Sequence, residues 1–402
     1  MECSNYRGIS LLNIAYKILS SILFMRISPF AENIIGNYQC GFRKNRSTIN
    51  QIFTLRQILE KTKEFSIETH HVFIDFRSAY DAIKREQLYN AMSEFNIPNK
   101  LIRLTRMTMA NMKRQIRIQS DLSDPITTKK GVRQGDSLAC LLFNLALEMV
   151  VRKAGIQTNG TIFYKSVQLL AYADDIDIIA RSRKALKEAF LSLERAAREM
   201  GLRINEEKSK YLTTGVNKNQ PKYFQIEKFK FEMVQSFTYL ACIIDANNDI
   251  SVEIKKRILL ANKGFCGLKR QFRSQFLSKK NKIKLYKTLI RPVLACGSET
   301  WVLSKSDEAR LGVFERKVLR AIFGPTNYNG EWRIKYNDKL HTLCKDSDII
   351  TYIKIKCLRW AGHVIRLEEQ NPARRVFAAV VEGRRQKGRP KLRWEDGVKG
   401  DA

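Results

Sequence analysis

The stretch QLLAYADDIDIIA, residues 168–180, decides the fold class because it places carboxylates inside an otherwise apolar, strand-like segment. Asp174 and Asp175 interrupt the apolar run, and Asp177 follows on the far side. Burying an ionised carboxylate without a counter-charge costs several kcal/mol or more. The pattern therefore predicts a hairpin with its tip near Ala173–Asp175 and a cation close by. An adjacent Asp pair is also typical of an exposed turn, but these flanks are too apolar for a solvated loop.

Length and charge limit the class of protein. The chain has 402 residues, 44% of them hydrophobic, which is typical of a globular protein with two or three domains. Its formal net charge is +32, far above the magnitude of about 2–8 usual for small domains. A surplus of this size indicates a polyanionic partner, with nucleic acid first and an anionic membrane surface second.

The cysteines and the N-terminal region bear on the cellular compartment. The eight cysteines are scattered without a CxxC pair, which is typical of reduced thiols in a cytosolic or nuclear protein. Residues 1–20 lack the pattern of a signal peptide. No window approaches 18 uninterrupted apolar residues, so we expect no membrane span.

Periodicity predicts an alternation of helices and strands along the chain. Asp136 or Ser137 is expected to cap a buried helix, and Gly201 to end another that carries apolar residues from Leu186 to Met200. The other predicted elements are helices over 12–27, 48–63 and 85–95, strands over 70–76, 115–119 and 237–244, and a helical region over 251–324.

Three carboxylates form the candidate catalytic group. Asp75 ends the predicted strand 70–76, and Asp174 and Asp175 lie at the hairpin tip. If these strands are neighbours in one sheet, the three side chains converge and supply the oxygen ligands that Mg²⁺ prefers. Two such ions, about 4 Å apart, activate the nucleophile and stabilise the leaving group in phosphoryl transfer. Asp177 is expected to be structural or outer-sphere.

The whole order of motifs resembles the reverse transcriptases of non-LTR (LINE, jockey-like) retrotransposons. YADD (172–175) resembles their signature box, and the resemblance covers nearly all of the chain. The other boxes are NYRGISLLNIAYKILSSIL (5–23), QCGFRKNRSTINQI (39–52), VFIDFRSAYDAI (72–83), GVRQGDSLACLLFNLALE (131–148), GLRINEEKSKYL (201–212), FTYLACII (237–244), LIRPVLACGSETWVLS (289–304), LRWAGHVIR (358–366) and GRPKLRWED (388–396).

This resemblance implies an α+β right-hand polymerase. The expected domains are fingers and palm over 1–225, primer-grip strands over 226–250, a helical thumb over 251–325 and a basic nucleic-acid-binding region over 326–402. The implied activity is RNA-directed DNA synthesis, which extends a DNA primer with dNTPs on an RNA template. Two Mg²⁺ ions are implied as cofactors, and Mn²⁺ is a substitute.

The resemblance also assigns roles to single residues. Asp75, Asp174 and Asp175 would bind the metal ions and carry catalysis. Tyr80 matches the aromatic side chain that lies under the sugar and excludes a 2′-hydroxyl; its alternative is a core aromatic. Lys208 would protonate pyrophosphate, and the alternative is an exposed lysine.

Two further pairs would contact the nucleotide. Gln134 and Gly135 would shape the floor under the incoming nucleotide and the template base. Arg43 and Arg46 would hold triphosphate oxygens, for which guanidinium groups are well suited. The alternative for both arginines is a solvated basic loop.

Several positions depart from the family pattern. Ala139 and Cys140 stand where Ser-Pro is usual, Ala241 and Asn45 where Gly is usual, and Asn50 where Asp is usual. The endonuclease domain that precedes NYRGISLL in the family is also expected to be lacking, as in a truncated element product. A catalytically inactive relic that only binds nucleic acid is therefore the alternative, while the downstream boxes argue against an intron maturase.

The C-terminal segment is expected to bind nucleic acid through phosphate contacts, with a flexible nonspecific tail as the alternative. A turn is predicted at Gly388–Pro390. The basic residues are Arg384, Arg385, Lys387, Arg389, Lys391 and Arg393. The set His341, Cys344, Cys357 and His363 could ligate zinc, but its spacing matches no strong signature. A retroelement polymerase acts in the nucleus, so we expect nuclear localisation, with a cytoplasmic pool as a further option.

Overall fold

The computed structural model describes residues 10–110, 112–215, 221–385 and 392–402, and these residues form two compact units. The first unit contains the described residues of the ranges 10–51, 67–235 and 369–381. The second unit contains the described residues of the ranges 52–66, 236–368 and 382–402. The assignment of the four sequence ranges to fingers and palm, primer-grip strands, thumb and a nucleic-acid-binding region stays a prediction.

Helices account for most of the described chain. The α-helices are α1 (Ile14–Ile34), α2 (Thr48–Glu64), α3 (Ala79–Ala82), α4 (Arg85–Glu94), α5 (Asn99–Met109), α6 (Ser137–Lys153), α7 (Arg183–Met200), α8 (Ile250–Gly267), α9 (Lys269–Arg273), α10 (Lys279–Leu285), α11 (Arg291–Leu294), α12 (Lys305–Phe323), α13 (Asn337–Cys344), α14 (Ile349–Arg366), α15 (Pro372–Ala378) and α16 (Trp394–Asp401). A π-helical turn, Tyr286–Ile290, and a 3₁₀ turn, Ser298–Thr300, flank α11.

The strands are shorter. They are β1 (His70–Ile74), β2 (Lys113–Arg114), β3 (Arg117–Ile118), β4 (Asp121–Leu122), β5 (Ile126–Thr127), β6 (Val167–Tyr172), β7 (Asp175–Ala180), β8 (Lys210–Thr213), β9 (Tyr223–Ile226), β10 (Phe229–Met233), β11 (Ser236–Tyr239), β12 (Cys242–Asp245), β13 (Thr326–Tyr328) and β14 (Glu331–Arg333). The strand predicted over 115–119 is thus only the exposed two-residue β3, which pairs with β4.

The first unit is built on a six-stranded sheet in the order β6-β7-β1-β8-β10-β9. Its strands pair antiparallel except for β8 and β10, which run parallel. All five residues of β1 and five of the six in β7 are buried, as expected of central strands. The helix α7 packs on β1, β6 and β7, and α6 contacts α1, α4 and α7. The predicted hairpin and the predicted sheet neighbours are confirmed.

Local signals in the sequence explain the ends of the two central helices. The Asp136 side chain caps α6 by accepting a hydrogen bond from the Leu138 N–H (3.1 Å). Gly201 ends α7 with a positive φ of 97°, the left-handed conformation that glycine adopts without a steric cost. Both expectations are confirmed, and α6 is buried along nearly its whole length.

The first helix is longer than its predicted range, since it continues through Pro29 to Ile34. By length and composition alone, α1 is apolar enough to cross a membrane, with a mean hydropathy of 1.3 and 22% of the relevant window buried. Core helices of soluble proteins and signal sequences share this property. In the structure Leu23, Ile27 and Ala31 of α1 join the core of the first unit.

The second unit has its own apolar core and begins with a hairpin. The single strand predicted over 237–244 is wrong, because Leu240 (φ 47°) and Ala241 (φ 65°) turn the chain between β11 and β12. The helices α8–α12 fill the region predicted to be helical, and their core includes Ile254, Phe272 and Leu311.

The C-terminal segment is anchored where the structure describes it. Trp394 is 2% exposed and lies against the Phe53 ring, with centroids 4.8 Å apart. Its indole N–H donates to the Glu299 carbonyl oxygen (2.9 Å). These contacts contradict a wholly flexible tail, while the turn predicted at Gly388–Pro390 lies outside the described residues.

Candidate active site

Sheet register brings Asp75 and Asp175 side by side. The last recorded pair between β1 and β7 joins Ile74 to Ile176, so continuing this antiparallel register by one residue sets Asp75 opposite Asp175. On its other side Asp175 pairs with Tyr172 of β6. Directly opposed residues in an antiparallel pair have Cα atoms about 4.5–5.5 Å apart. Asp174 belongs to the two-residue turn between β6 and β7, so all three carboxylates lie at one edge of the sheet.

The segment GLRINEEKSKYL (201–212) holds the backbone of Asp75. Its N–H donates to the Ser209 hydroxyl (3.1 Å), and its carbonyl accepts the Asn205 N–H (2.8 Å). The Asn205 side-chain amide also donates to the Asp75 carboxylate (3.3 Å). Asn205 and Ser209 are site residues that sequence reasoning missed, although both lie in the quoted segment 201–212. Lys208, between them, is exposed.

The segment QCGFRKNRSTINQI (39–52) holds the turn of YADD (172–175). The Gln39 side-chain oxygen accepts the Ala173 N–H (2.7 Å), and its NH₂ group donates to the Ala173 carbonyl (3.2 Å). Gln51 donates to the Ala171 carbonyl (2.8 Å). A Cβ on Gly41 would lie 2.2 Å from the Ala173 nitrogen, so only glycine fits there. No local pattern in the sequence predicts these contacts.

Ala173 has an unusual backbone conformation for a residue with a side chain. Its φ is 54°, in the left-handed region. The left-handed conformation costs an L-residue about 1–2 kcal/mol. Gln39 offsets this cost by satisfying both backbone polar groups of Ala173, which is 2% exposed.

Tyr80 lies against α6, the helix that begins within the segment GVRQGDSLACLLFNLALE (131–148). Its ring stacks on Phe143 of α6 with centroids 4.9 Å apart, and its hydroxyl is 3.8 Å from the Cys140 sulfur. Burial and the neighbouring Cys140 raise the pKa of Tyr80 well above its usual value, so the hydroxyl is protonated at neutral pH. Val132 donates its N–H to the Tyr80 carbonyl (2.8 Å), which connects the segments 72–83 and 131–148.

The QG pair lies just before α6. Gln134 is half-buried and accepts the Ser10 N–H through its carbonyl (3.3 Å), while Gly135 is exposed with φ 101°. The adjacent Asp136 accepts a hydrogen bond from the Tyr16 hydroxyl (2.8 Å). Since the pair is accessible at the start of α6, its assigned contact with a nucleotide stays a prediction.

Arg43 and Arg46 differ in how many of their N–H groups are already hydrogen-bonded. Arg43 is 8% exposed, and its guanidinium makes hydrogen bonds to Glu32, Gly36 and Gln39 that occupy all of its N–H groups. This geometry does not favour Arg43 as a triphosphate ligand, and it also differs from the solvated loop named as its alternative.

Arg46 keeps a donor available. One terminal nitrogen donates to the Asn37 side chain (2.6 Å), and the other is buried without a hydrogen-bond partner among the described residues. Of the two arginines, Arg46 is therefore the one whose geometry suits an added anionic ligand. Asn45 between them has φ 58°, which explains why glycine is usual at this position.

Asp177 has a structural environment. It is fully buried and its carboxylate lies 3.2 Å from the His71 ring nitrogen. Burial raises the pKa of Asp177, and the neighbouring His71 opposes that shift. The pair lies inside the core rather than at the edge that carries Asp75 and Asp175.

The donor chemistry fits a hard divalent cation, but the side chains do not form a closed cage. Three carboxylates at one sheet edge supply the oxygen ligands preferred by Mg²⁺. Across the ranges that the structure describes, no three His, Cys, Asp or Glu side chains lie close enough together to hold a metal ion. An ion would therefore have to draw these carboxylates together. Asp75 and Asp174 are half-buried and Asp175 is exposed, so all are accessible.

The four residues considered as zinc ligands, His341, Cys344, Cys357 and His363, do not form a metal-binding cluster among the described residues. Cys344 and Cys357 belong to the core of the second unit. The Cys357 thiol donates to the Ser298 carbonyl (3.2 Å), and the His363 ring lies 4.8 Å from the Trp360 ring. These three side chains have packing roles.

The basic C-terminal residues are only partly described. Arg385 and Arg393 both pair with Glu64, the first at 2.9 Å, while Arg384 is exposed. Lys387, Arg389 and Lys391 lie outside the described residues. The assigned nucleic-acid contact of this segment stays a prediction, and Glu64 neutralises part of its charge.

Comparison with known proteins places this geometry in context. The family model described as reverse transcriptase (RNA-dependent DNA polymerase) matches residues 2–244. A transposon-derived protein of Caenorhabditis elegans, named as uncharacterised, is 27% identical over 251 residues, which are 61% of this chain and 87% of that protein.

Longer relatives are named as polymerases. The protein named "Probable RNA-directed DNA polymerase from transposon X-element", of Drosophila melanogaster, is 24% identical over 93% of this chain but only 42% of its own length. A telomerase of Candida tropicalis, solved with a fragment of telomeric RNA, aligns over 90% of this chain and 56% of its own at 13% identity, with a TM-score of 0.43.

Proposed function

Because the chain belongs to the reverse transcriptase family, and so has the α+β right-hand polymerase fold, we propose that it is an RNA-directed DNA polymerase of a non-LTR retrotransposon. It extends the 3′-hydroxyl of a DNA primer with dNTPs on an RNA template. The observation that carries the proposal is the register that brings Asp75 beside Asp175, with Asp174 in the adjoining turn.

These three carboxylates would hold two Mg²⁺ ions, for which Mn²⁺ can substitute. When bound, such ions activate the primer hydroxyl and neutralise charge on the leaving pyrophosphate. The chain's own contribution is to hold the carboxylates in place, through Asn205 and Ser209 at Asp75 and through Gln39 at the YADD turn.

Other side chains would handle the nucleotide. Tyr80, braced by Phe143, would lie under the sugar and exclude a 2′-hydroxyl. Arg46 would donate to the triphosphate, and exposed Lys208 would protonate the departing pyrophosphate. Gln134 and Gly135 would line the floor at the start of α6. These roles come from the family boxes, and the accessibility of Gly135 and Lys208 supports them.

Charge supports nucleic acid as the partner. A net charge of +32 favours binding to a polyanion such as a template–primer duplex. We further propose that the protein acts in the nucleus, where its product would be made next to chromosomal DNA.

Primer extension tests this function. The purified chain is incubated with an RNA template, an annealed DNA primer, dNTPs and Mg²⁺, alongside Asp174→Asn and the matched variant Asp124→Asn. Asp124 is exposed in the β4–β5 connection, so its variant removes the same charge away from the sheet edge. We expect extension by the wild type and Asp124→Asn only.

Loss of extension in all three proteins, with RNA binding retained, would contradict the proposal. That result would favour the inactive relic that only binds nucleic acid. Equal extension by Asp174→Asn would instead show that Asp174 is not needed for catalysis.

A further inference from the structure

The second unit contains a cavity that the polymerase chemistry does not use. It has a volume of about 740 Å³ and lies within that unit, among α8, α9, α10 and α12. Small-molecule sites in proteins usually have volumes of about 300–1,000 Å³. The lining residues are Phe265, Cys266, Lys269, Phe272, Arg273, Gln275, Lys282, Lys317, Arg320, Ala321, Ile322, Phe323, Gly324 and Pro325.

The charged lining of this cavity has a single sign. Five of its side chains are cationic, and the lining contains no Asp or Glu. Cations crowded together without acidic neighbours repel one another, so an anion in the cavity would relieve their repulsion. The charge indicates an anionic ligand.

Lys282 is the strongest indication of a ligand. Lys282 is only 8% exposed, although it lines the cavity. Most of the Lys282 side chain is therefore packed, and among the described residues its ammonium group forms no ion pair with a carboxylate. A bound anion would supply the missing partner.

Arg320 provides a second, independent sign. One terminal nitrogen donates to the Asn337 side chain (2.9 Å), but the Nε–H is buried without a partner in the described part of the chain. A buried guanidinium donor left unpaired costs more than one that is hydrogen-bonded. Arg320 and Lys282 thus line the same cavity, and among the described residues neither pairs with a carboxylate.

The rim adds positive charge. Lys335 donates to the carbonyls of Gly324 (3.0 Å) and Pro325 (2.8 Å), two residues of the cavity wall. Partial burial lowers the pKa of Lys335, and the nearby Lys279 and Lys339 lower it further. The cavity therefore lies in a wider region of positive potential.

The remaining wall is apolar and aromatic. The rings of Phe265 and Phe272 lie 5.5 Å apart, and Ile322 and Phe323 continue the same surface. A nucleobase suits such a wall because its ring faces are apolar and polarizable. An inorganic phosphate alone would leave this surface and most of the volume unused.

We propose that this cavity binds one nucleotide unit of a single-stranded RNA. Its phosphate would lie against Lys282 and Arg320, and its base would lie against the apolar wall that includes Phe265 and Phe323. The site goes beyond the proposed polymerase function, because it lies in the second unit, whereas Asp75, Asp174 and Asp175 belong to the first. It needs neither a metal ion nor a dNTP. It would retain an RNA strand independently of synthesis.

The test uses the full chain and a fluorescent single-stranded RNA 12-mer, without Mg²⁺ or dNTPs. Lys282→Met removes the charge at nearly constant volume, and Lys280→Met is its matched control on an exposed position of the same helix. We expect Lys282→Met to weaken RNA binding about tenfold and to lower the salt slope by about one. Lys280→Met should change both values much less.

A second variant separates binding from folding. Ala321→Trp fills the cavity and leaves every charge in place, so it should also weaken RNA binding. Thermal unfolding of each variant reports on folding, so that weaker RNA binding by a variant that unfolds like the wild type is assigned to the site.

Competition identifies the ligand. Unlabelled RNA and DNA 12-mers, AMP and inorganic phosphate are each added to the labelled complex. Preference for RNA supports the proposal as stated, and equal competition by DNA would overturn its assignment to RNA. Competition by phosphate as effective as that by AMP would overturn the nucleotide assignment. Binding unchanged in both Lys282→Met and Ala321→Trp would overturn the site itself.

Because the assay contains no catalytic reagents, its outcome is distinct from that of primer extension. Asp124→Asn, an exposed position away from the cavity lining, should bind the 12-mer like the wild type. A polymerase that extends primers while Lys282→Met binds RNA normally would refute this site and leave the proposed function standing.

Discussion

Gln39 binds both backbone polar groups of Ala173, accepting its N–H at 2.7 Å and donating to its carbonyl at 3.2 Å. Ala173 has φ 54° and lies between Tyr172 and the two carboxylates of the turn. The Gln39 side chain, from the segment 39–52, therefore holds the backbone of Ala173 in its left-handed conformation. This contact sets the position of Asp174 and Asp175.

Removal of this contact should lower catalysis. Gln39→Ala leaves the buried polar groups of Ala173 unsatisfied, at a cost of about 1–3 kcal/mol, and frees the turn to move. We expect the kcat of nucleotide addition to fall at least about tenfold, with a smaller change in KM for dNTP. Steady-state kinetics check this prediction, with Gln225→Ala at an exposed strand position as a control. An unchanged kcat would show that the turn holds its geometry without Gln39.

The hairpin turn at Leu240–Ala241 should be improved by glycine. Ala241 is exposed with φ 65°, so Ala241→Gly removes a left-handed penalty and should stabilise the second unit by about 1 kcal/mol. The four tryptophans all belong to the second unit, so denaturation followed by tryptophan fluorescence reports on it. Ala309→Gly, at an exposed position inside α12, should instead destabilise it by about 1 kcal/mol. A loss of stability in Ala241→Gly would contradict the turn geometry.

Glu60 should make the stability of the second unit depend on pH. Burial raises the pKa of Glu60 to about 7, while its carboxylate accepts the Trp394 N–H (2.9 Å). The folded-state pKa lies above the unfolded one, so the stabilisation is full below about pH 4.5 and is lost as the pH rises through about 7.

Glu60→Gln should therefore flatten this dependence. Relative to the variant, the wild type should lose about 2–3 kcal/mol of unfolding free energy between pH 5 and pH 8. Denaturation at several pH values measures the difference, and exposed Glu382→Gln serves as the control. Parallel pH profiles of wild type and Glu60→Gln would mean that Glu60 is ionised throughout.

Tyr80 should control the choice of sugar. Its ring is fixed by stacking on Phe143 at 4.9 Å, so Tyr80→Ala opens space while Tyr80→Phe keeps the ring. We expect Tyr80→Ala to raise the ratio of rNTP to dNTP incorporation at least about tenfold, and Tyr80→Phe to leave it close to that of the wild type. Competition between labelled dGTP and rGTP measures the ratio. Equal ratios in all three proteins would leave Tyr80 with only its packing role.

The local features of this fold could be predicted where the signal lies in neighbouring residues. Asp136 and Gly201 end helices through contacts within a few residues, and the alternation around YADD predicts the hairpin. The turn at Leu240–Ala241 was missed because neither residue is one that usually adopts a positive φ.

The supporting contacts of the site could not be predicted, because their partners are distant in sequence. Gln39 and Ala173 are 134 residues apart, and so are Asp75 and Ser209. The burial of Arg43 depends on Glu32, Gly36 and Gln39 meeting around it, which only the folded chain reveals.

The most direct test of the central claim is the rate of first-nucleotide addition in a single turnover, measured across a Mg²⁺ titration for wild type, Asp75→Asn and Asp124→Asn. The account predicts a Mg²⁺-dependent rate in wild type and Asp124→Asn. It also predicts a fall of at least about a thousandfold in Asp75→Asn, since several kcal/mol of charge stabilisation is lost. A rate in Asp75→Asn within about threefold of the wild type would contradict it.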